Sequence, residues 1–271
     1  MTFTEMLEAR WQGADTLLCV GLDPNPSRFP AELAGRPDAI LAFCREIVDA
    51  TADLVCAFKP QIAYFASCGA EDQLEELITY IHEKHPEVPV ILDAKRGDIG
   101  STAEHYAREA FERYKADCVT LSPFMGFDTI KPYLAYEGKG AFVLCRTSNK
   151  GGDDFQMLTV DGERLFERIA RLASSEWNLS GQLGLVTGAT YPAEIASVRR
   201  LAPTLPLLVP GIGAQGGDVE ACVKAGIDAK KGGMVINSGR AILYASQGED
   251  WREAARAAAV ATRDAINAAR R

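Results

Sequence analysis

Short apolar runs alternate with stretches of helical period along this chain. The runs are Thr16–Leu22, Leu54–Phe58, Val88–Leu92, Cys118–Leu121, Ala141–Cys145, Leu183–Val186, Leu205–Val209 and Met234–Ile236. Between them lie amphipathic stretches such as Ala70–Lys84 and Glu163–Trp177, and an Ala/Arg-rich tail from Asp250 predicts a closing surface helix. Continuous apolar strands separated by helices predict parallel pairing, with helices covering the sheet. About eight such units in 271 residues predict an α/β fold, a single-domain (β/α)8 barrel spanning residues 1–271. A doubly wound open sheet would be expected to carry a Gly-rich turn after an early strand, whereas the first run ends in GLDPNP.

Polar residues gather at one end of each run. They are Asp23 after the first, Lys59 after the second, Asp93, Lys95 and Asp98 after the third, and Ser122 after the fourth. Arg146 to Asn149 follow the fifth, Thr187 and Thr190 the sixth, Pro210 to Gly217 the seventh, and Asn237, Ser238 and Arg240 the eighth. In a barrel these positions converge on one mouth, where such folds carry their chemistry.

Composition narrows the class. The hydrophobic fraction is 47% and the charged fraction 24%, ordinary for a globular chain with a full core. A net charge of -8 with no basic stripe argues against nucleic acid as a partner. The N-terminal stretch lacks the layout of a signal peptide, and no apolar run approaches the roughly 20 residues of a membrane span. These features predict a cytoplasmic protein with no membrane partner. The seven cysteines are scattered, several within apolar runs, which predicts core thiols rather than disulfides or zinc ligands. His82 and His85 flank a predicted helix end, and no histidine-based metal constellation is present.

The stretch VPVILDAKRGDIGST, residues 88–102, concentrates the chemistry. Asp93 and Lys95 are two apart, so a regular strand would point both to one side. With Asp23, Lys59 and Asp98 they compose an alternating carboxylate–ammonium array. Opposite charges favour the ionised forms, so an ammonium held there is a proton donor rather than a Schiff-base nucleophile. The bland alternative is an ion-pair network that only satisfies strand ends. Ser101 and Glu104 have the spacing of a capping box for the next helix, and Thr102 fits either a capping or a site role. After the seventh run, PGIGAQGGD offers Gly211 and Gly213 for close backbone approach to a phosphate, with Asp218 as the next helix cap. Arg240 follows the eighth run, where a guanidinium adds a bidentate phosphate contact.

The stretch Asp93-Ala-Lys95-Arg-Gly-Asp98-Ile99-Gly-Ser-Thr102 resembles the D-x-K-x-x-D-[I/V]-x-x-T signature of the orotidine 5'-phosphate decarboxylase family. Asp23 in GLDPNP, Lys59 in AFKPQ, Ser148 in RTSN, Gln215 in GIGAQGGD and Arg240 in SGRAI fall where that family places functional residues. The resemblance covers nearly the whole chain, and its length is similar to the longer bacterial branch. Lys150 stands where that branch would place proline. The resemblance implies a cofactor-free, metal-free decarboxylation of orotidine 5'-monophosphate to UMP in pyrimidine biosynthesis. It implies that Lys95 protonates C6, that Asp93 sits against the substrate carboxylate, and that Lys59, Asp98 and Asp23 serve the array and the ribose. Ser148 is then on the pyrimidine, Gln215 between base and phosphate, and Arg240, with the glycine loop, on the phosphate. It further implies a homodimer in which Asp98, Ile99 and Thr102 reach the partner's site. Arg96 receives no role beyond a supporting or interface ion pair.

Two other classes fit part of the pattern. Magnesium-dependent sugar-phosphate enzymes share a similar D-x-K-x-x-D stretch, but need an acid after the second strand. Here Lys59 is followed by Pro60, Gln61 and Ile62, with no acid before Glu71. A phosphate-ligand sensor would not need the full set of charged strand ends.

Overall fold

The computed structural model of the chain describes residues 1–212 and 218–271. In chain order the strands are β1 (Leu18–Leu22), β2 (Ala57–Pro60), β3 (Ile91–Arg96), β4 (Cys118–Leu121), β5 (Gly140–Arg146), β6 (Thr159–Val160), β7 (Glu163–Arg164), β8 (Leu183–Thr187), β9 (Leu207–Pro210) and β10 (Met234–Ser238). Eight of them form one parallel sheet in the order β2-β1-β10-β9-β8-β5-β4-β3. Parallel bridges Phe58–Val90 and Gln61–Asp93 join the two outer strands, so the sheet closes on itself as a (β/α)8 barrel. The strands begin and end within a few residues of the apolar runs.

The helices are α1 (Phe3–Gly13), α2 (Ala39–Thr51), α3 (Ile62–Ala66), α4 (Glu71–Lys84), α5 (Gly100–Arg108), α6 (Lys131–Leu134), α7 (Asp153–Gln156), α8 (Leu165–Ser174), α9 (Pro192–Leu201), α10 (Val219–Gly226), α11 (Arg240–Leu243) and α12 (Trp251–Arg270). Most bury one apolar stripe on the barrel, as Leu74, Leu77, Ile78 and Ile81 do on α4. The closing helix predicted from Asp250 onward is α12.

The chain's start was not legible as an element. Helix α1 carries a capping box, with Thr2 accepting from Glu5 and Glu5 from the Thr2 backbone. It lies across the N-terminal ends of the strands. Phe3 donates its N–H to Gly138 O, sets its ring against Gly140 at the start of β5 and meets Phe142 edge-on at 5.9 Å. Arg10 stitches the carbonyls of Ala52 and Val55 just before β2. This end of the barrel is closed.

Two local expectations are corrected. The Ser101–Glu104 capping box does not form: with Ser101 as cap the helix would begin at Thr102, but α5 starts two residues earlier, at Gly100, behind Ile99, and no side chain caps it. Gly100 adopts a left-handed backbone (φ +51°), which lets the helix begin directly out of the loop. The helical pattern at Glu163–Trp177 begins only at Leu165, because Glu163 and Arg164 pair with Val160 and Thr159 in the β6–β7 ribbon. Asp218 does cap α10, accepting the Ala221 N–H at 3.1 Å. Six of the seven cysteines are buried thiols, and Cys68 is exposed. Among the described residues, no helix is long and apolar enough to cross a membrane.

Candidate active site

The C-terminal ends of the strands carry buried charge. Lys59 on β2 is 4% exposed and Asp93 on β3 is 7% exposed. Burial of either alone would be costly, and they meet at 2.8 Å, Lys59 Nζ to Asp93 Oδ2. Lys95 Nζ reaches the other oxygen of Asp93 at 2.6 Å. The Thr120 hydroxyl, from the neighbouring β4, donates to Asp93 Oδ1 at 2.9 Å. One carboxylate thus holds two ammonium groups and a hydroxyl.

Asp93 and Lys95 meet, although not by regular strand alternation. The β3–β4 register shifts between Leu92 and Arg96, and Lys95 takes a left-handed backbone (φ +46°). The bulge is held by Thr120 Oγ1, which accepts the N–H groups of Ala94 (3.0 Å) and Lys95 (2.9 Å). Thr120 therefore supports the backbone and the carboxylate together. Its only sequence signal is a hydroxyl inside the apolar run CVTL.

The electrostatics follow from this packing. Burial pushes the Lys59 pKa down, but the Asp93 and Asp23 carboxylates outweigh it and hold Lys59 above its ordinary value. Burial pushes Asp93 up, and Lys59 and Lys95 overcome it, so its carboxyl lies well below the usual range. Asp23 goes the other way: burial dominates and raises it, against the pull of Lys59. Its Oδ1 is buried with no hydrogen-bond partner among the described residues. The Tyr244 hydroxyl clasps this loop, accepting the Asn25 N–H at 2.6 Å and donating to Asp23 O at 2.9 Å. Sequence reasoning missed Tyr244, which lies more than two hundred residues away in the chain.

The remaining expected residues divide. Ser148, after β5, is half-buried at the mouth, with the Gly188 backbone packed against it. Gly211 follows β9 with φ +97°, a conformation that suits glycine. Gly213 and Gln215 lie outside the described residues. Arg240 opens α11, is exposed, and its guanidinium makes no hydrogen bond or ion pair among the described residues. Asp98, Ile99 and Thr102 do not join the array within one chain. Asp98 Oδ1 accepts the Ile99 N–H at 2.8 Å, and no bond links it to Lys59, Asp93 or Lys95. Ile99 is 58% exposed, and Thr102 is exposed in the first turn of α5. Arg96 pairs within the chain, with Glu109 at 2.8 Å and over the Tyr106 ring at 4.6 Å, tying the end of β3 to α5 and the turn after it. Among the described residues, no cluster of three or more His, Cys, Asp or Glu is placed to hold a metal ion.

Barrel and array together define a class: a (β/α)8-barrel enzyme that carries paired ammonium and carboxylate groups at its strand ends. Known proteins place it further. The profile of the Orotidine 5'-phosphate decarboxylase / HUMPS family matches residues 16–258. The orotidine 5'-phosphate decarboxylase of Azoarcus sp. (strain BH72) is 68% identical over 270 residues, covering 100% of both chains. That of Cupriavidus metallidurans is 67% identical, covering 98% of each. Among solved structures, the OMP decarboxylase of Leishmania donovani superposes with a TM-score of 0.88 at 41% identity, covering 100% of this chain and 99% of that one. The chain belongs to the orotidine 5'-phosphate decarboxylase / HUMPS family, within its decarboxylase branch, and is a carboxy-lyase.

Proposed function

We propose that this chain converts orotidine 5'-monophosphate to UMP and CO2 without a cofactor, with Lys95 as the proton donor to C6. The observation that carries the reading is the Lys59–Asp93–Lys95 array at the barrel mouth of a chain in this family. Loss of CO2 breaks the C6–carboxyl bond and leaves the electron pair on C6, in the ring plane, where no π-system spreads it. The Lys95 ammonium beside Asp93 stabilises that pair and delivers a proton to C6. Solvent then reprotonates the amine. Asp93, kept ionised by Lys59 and Lys95, also faces the substrate carboxylate. At about 4 Å and an effective dielectric of 20, that repulsion is roughly 4 kcal/mol. Asp23 and Lys59 serve the ribose, Ser148 the pyrimidine, and Arg240, Gln215, Gly211 and Gly213 the phosphate end. Residues 1–271 act as one catalytic domain in the cytoplasm.

The reading includes a homodimer. Asp98, Ile99 and Thr102 stand on an exposed loop and helix start, unattached to the array of their own chain. The adjoining loop after β4 exposes Phe124 (85%), and a groove of about 700 Å³ runs between α5 and α6. A second copy covering this face would bury the apolar residues and bring Asp98 to the neighbour's Lys95.

The test is loss of the substrate's ultraviolet absorbance on mixing purified protein with orotidine 5'-monophosphate. Turnover in the presence of EDTA is expected, whereas its loss would favour a metal-dependent relative. Lys95→Ala and Asp98→Ala proteins, each inactive alone, should regain roughly a quarter of wild-type activity when randomly mixed, because heterodimers restore one intact site. No recovery after subunit exchange would refute the shared site.

A further inference from the structure

The stretch that carries Ser148 is held by residues that neither the array nor the phosphate loop uses. Arg146, the last residue of β5, is 1% exposed. Its NH2 meets Asp153 Oδ1 at 2.6 Å, its NH1 meets Gln156 Oε1 at 3.3 Å, and its guanidinium lies over the Tyr191 ring at 4.3 Å. Gln156, the last residue of α7, turns back onto Thr147. Its Oε1 accepts the Thr147 N–H at 2.8 Å, and its Nε2 donates to Thr147 Oγ1 at 2.8 Å. Gly152 leaves no room for a side chain, since a Cβ there would lie 2.8 Å from Arg146 NH1 and 2.9 Å from Gln156 Oε1. From the opposite side, a Cβ at Gly188 would lie 2.6 Å from Ser148 N. Thr190 Oγ1 donates to Ser148 O at 3.4 Å.

Ser148 is therefore gripped between two loops, with Gln156 and Arg146 beneath the residue before it and Gly188 and Thr190 against its own backbone. A plain strand end needs none of this. Burying a guanidinium against a carboxylate and an amide on a separate short helix is weak evidence for stability, so the geometry it fixes is the better account of the arrangement. We propose that Gln156 is a positioning residue: with Arg146 it sets the Thr147–Ser148 backbone, and so the pyrimidine end of the substrate site. The inference rests on the assignment of Ser148 to the pyrimidine made above.

The test uses ligands that separate the two ends of the site and need no turnover. UMP carries the pyrimidine, and ribose 5-phosphate lacks it. Gln156→Ala should weaken UMP about tenfold, the scale of one good polar interaction. It should leave ribose 5-phosphate affinity unchanged. Gln156→Glu keeps the acceptor for Thr147 N–H and Arg146 and should recover most of the loss. If Gln156 acts through Ser148, Ser148→Ala/Gln156→Ala should bind UMP no worse than the weaker single variant. Equal weakening of both ligands would make Gln156 merely structural and overturn the proposal, as would strictly additive losses. So would a Gln156→Ala effect on UMP beside a Ser148→Ala protein that binds UMP normally. Absence of turnover with orotidine 5'-monophosphate would remove the decarboxylase reading while these binding results still judged the clamp. Thermal melts of each variant separate local loosening from loss of fold, and the Glu variant stands in if the Ala protein does not fold.

Discussion

At the start of β3, Asp117 accepts the Val90 N–H at 2.9 Å, His82 Nε2 at 2.9 Å and Lys139 Nζ at 3.3 Å. At the end of the same strand, Asp93 holds Lys59, Lys95 and Thr120. Asp93 is buried and Asp117 partly buried, and both are held below the usual carboxylate range. For Asp117, burial pushes the value up, and His82, the Val90 N–H and Lys139 together outweigh it. For Asp93 it is the two lysines that outweigh burial. The difference lies in what each touches. Asp117 is tied to the main chain where β3 begins, so its charge secures strand register at the closed end. No main-chain N–H reaches Asp93 among the described residues, and one of its partners, the Lys95 side chain, is 47% exposed. The same device anchors a strand where backbone satisfies it, and leaves a charge at the barrel mouth where only side chains do.

That contrast can be broken by substitution. The largest expected effect is on rate: Lys95→Ala should lower kcat by about 10³-fold or more, with thermal stability near wild type, because a half-exposed group is removed. A variant that kept more than a tenth of wild-type kcat would end the proton-donor role. Asp93→Asn should damage both properties. It strips the buried Lys59 of its direct anion, and denaturant titration at neutral pH should show a loss of about 3 kcal/mol. Asp117→Asn should cost less, about 2 kcal/mol. It should leave kcat/KM of the folded protein unchanged, since nothing at the mouth depends on it. A catalytic defect there would mean that the two ends of β3 are coupled. The smallest effect is in pH dependence. A carboxyl whose folded value lies below its unfolded value of about 3.9 contributes stability that is complete above that value. The contribution fades as pH falls through the folded value. Acid titration of unfolding free energy should therefore steepen below about pH 4 in the wild type, and each Asn variant should flatten it by up to one proton. An unchanged slope in Asp93→Asn would contradict the assignment of a depressed carboxyl to that residue.

Much of this was legible along the chain. Strands apolar on both faces can only be buried on both faces, so the runs, their helical spacers and their polar ends predict a barrel with one charged mouth. Asp93, Lys95, Lys59 and Asp23 could be named because charged residues ending buried strands are rare unless they pair or react. The capping box at Ser101 misled because the motif's spacing is satisfied by many helix starts, and the left-handed Gly100 began this one earlier.

Thr120 showed only a hydroxyl inside an apolar run, and neither Tyr244 nor Gln156 could be given a role from the sequence. Each is a common polar residue whose meaning comes from a partner on another strand or loop: Asp93 for Thr120, Asp23 for Tyr244, Thr147 for Gln156. Sequence alone determined the class of fold and the charges at its mouth, because burial and charge are properties of residue type and order. Only the tertiary structure decided how those charges share partners, through the bulge that turns Lys95 onto Asp93 and the loop contacts that grip Ser148. Distances of a few ångströms between residues far apart in the chain depend on the closure of the barrel, and no local pattern records them.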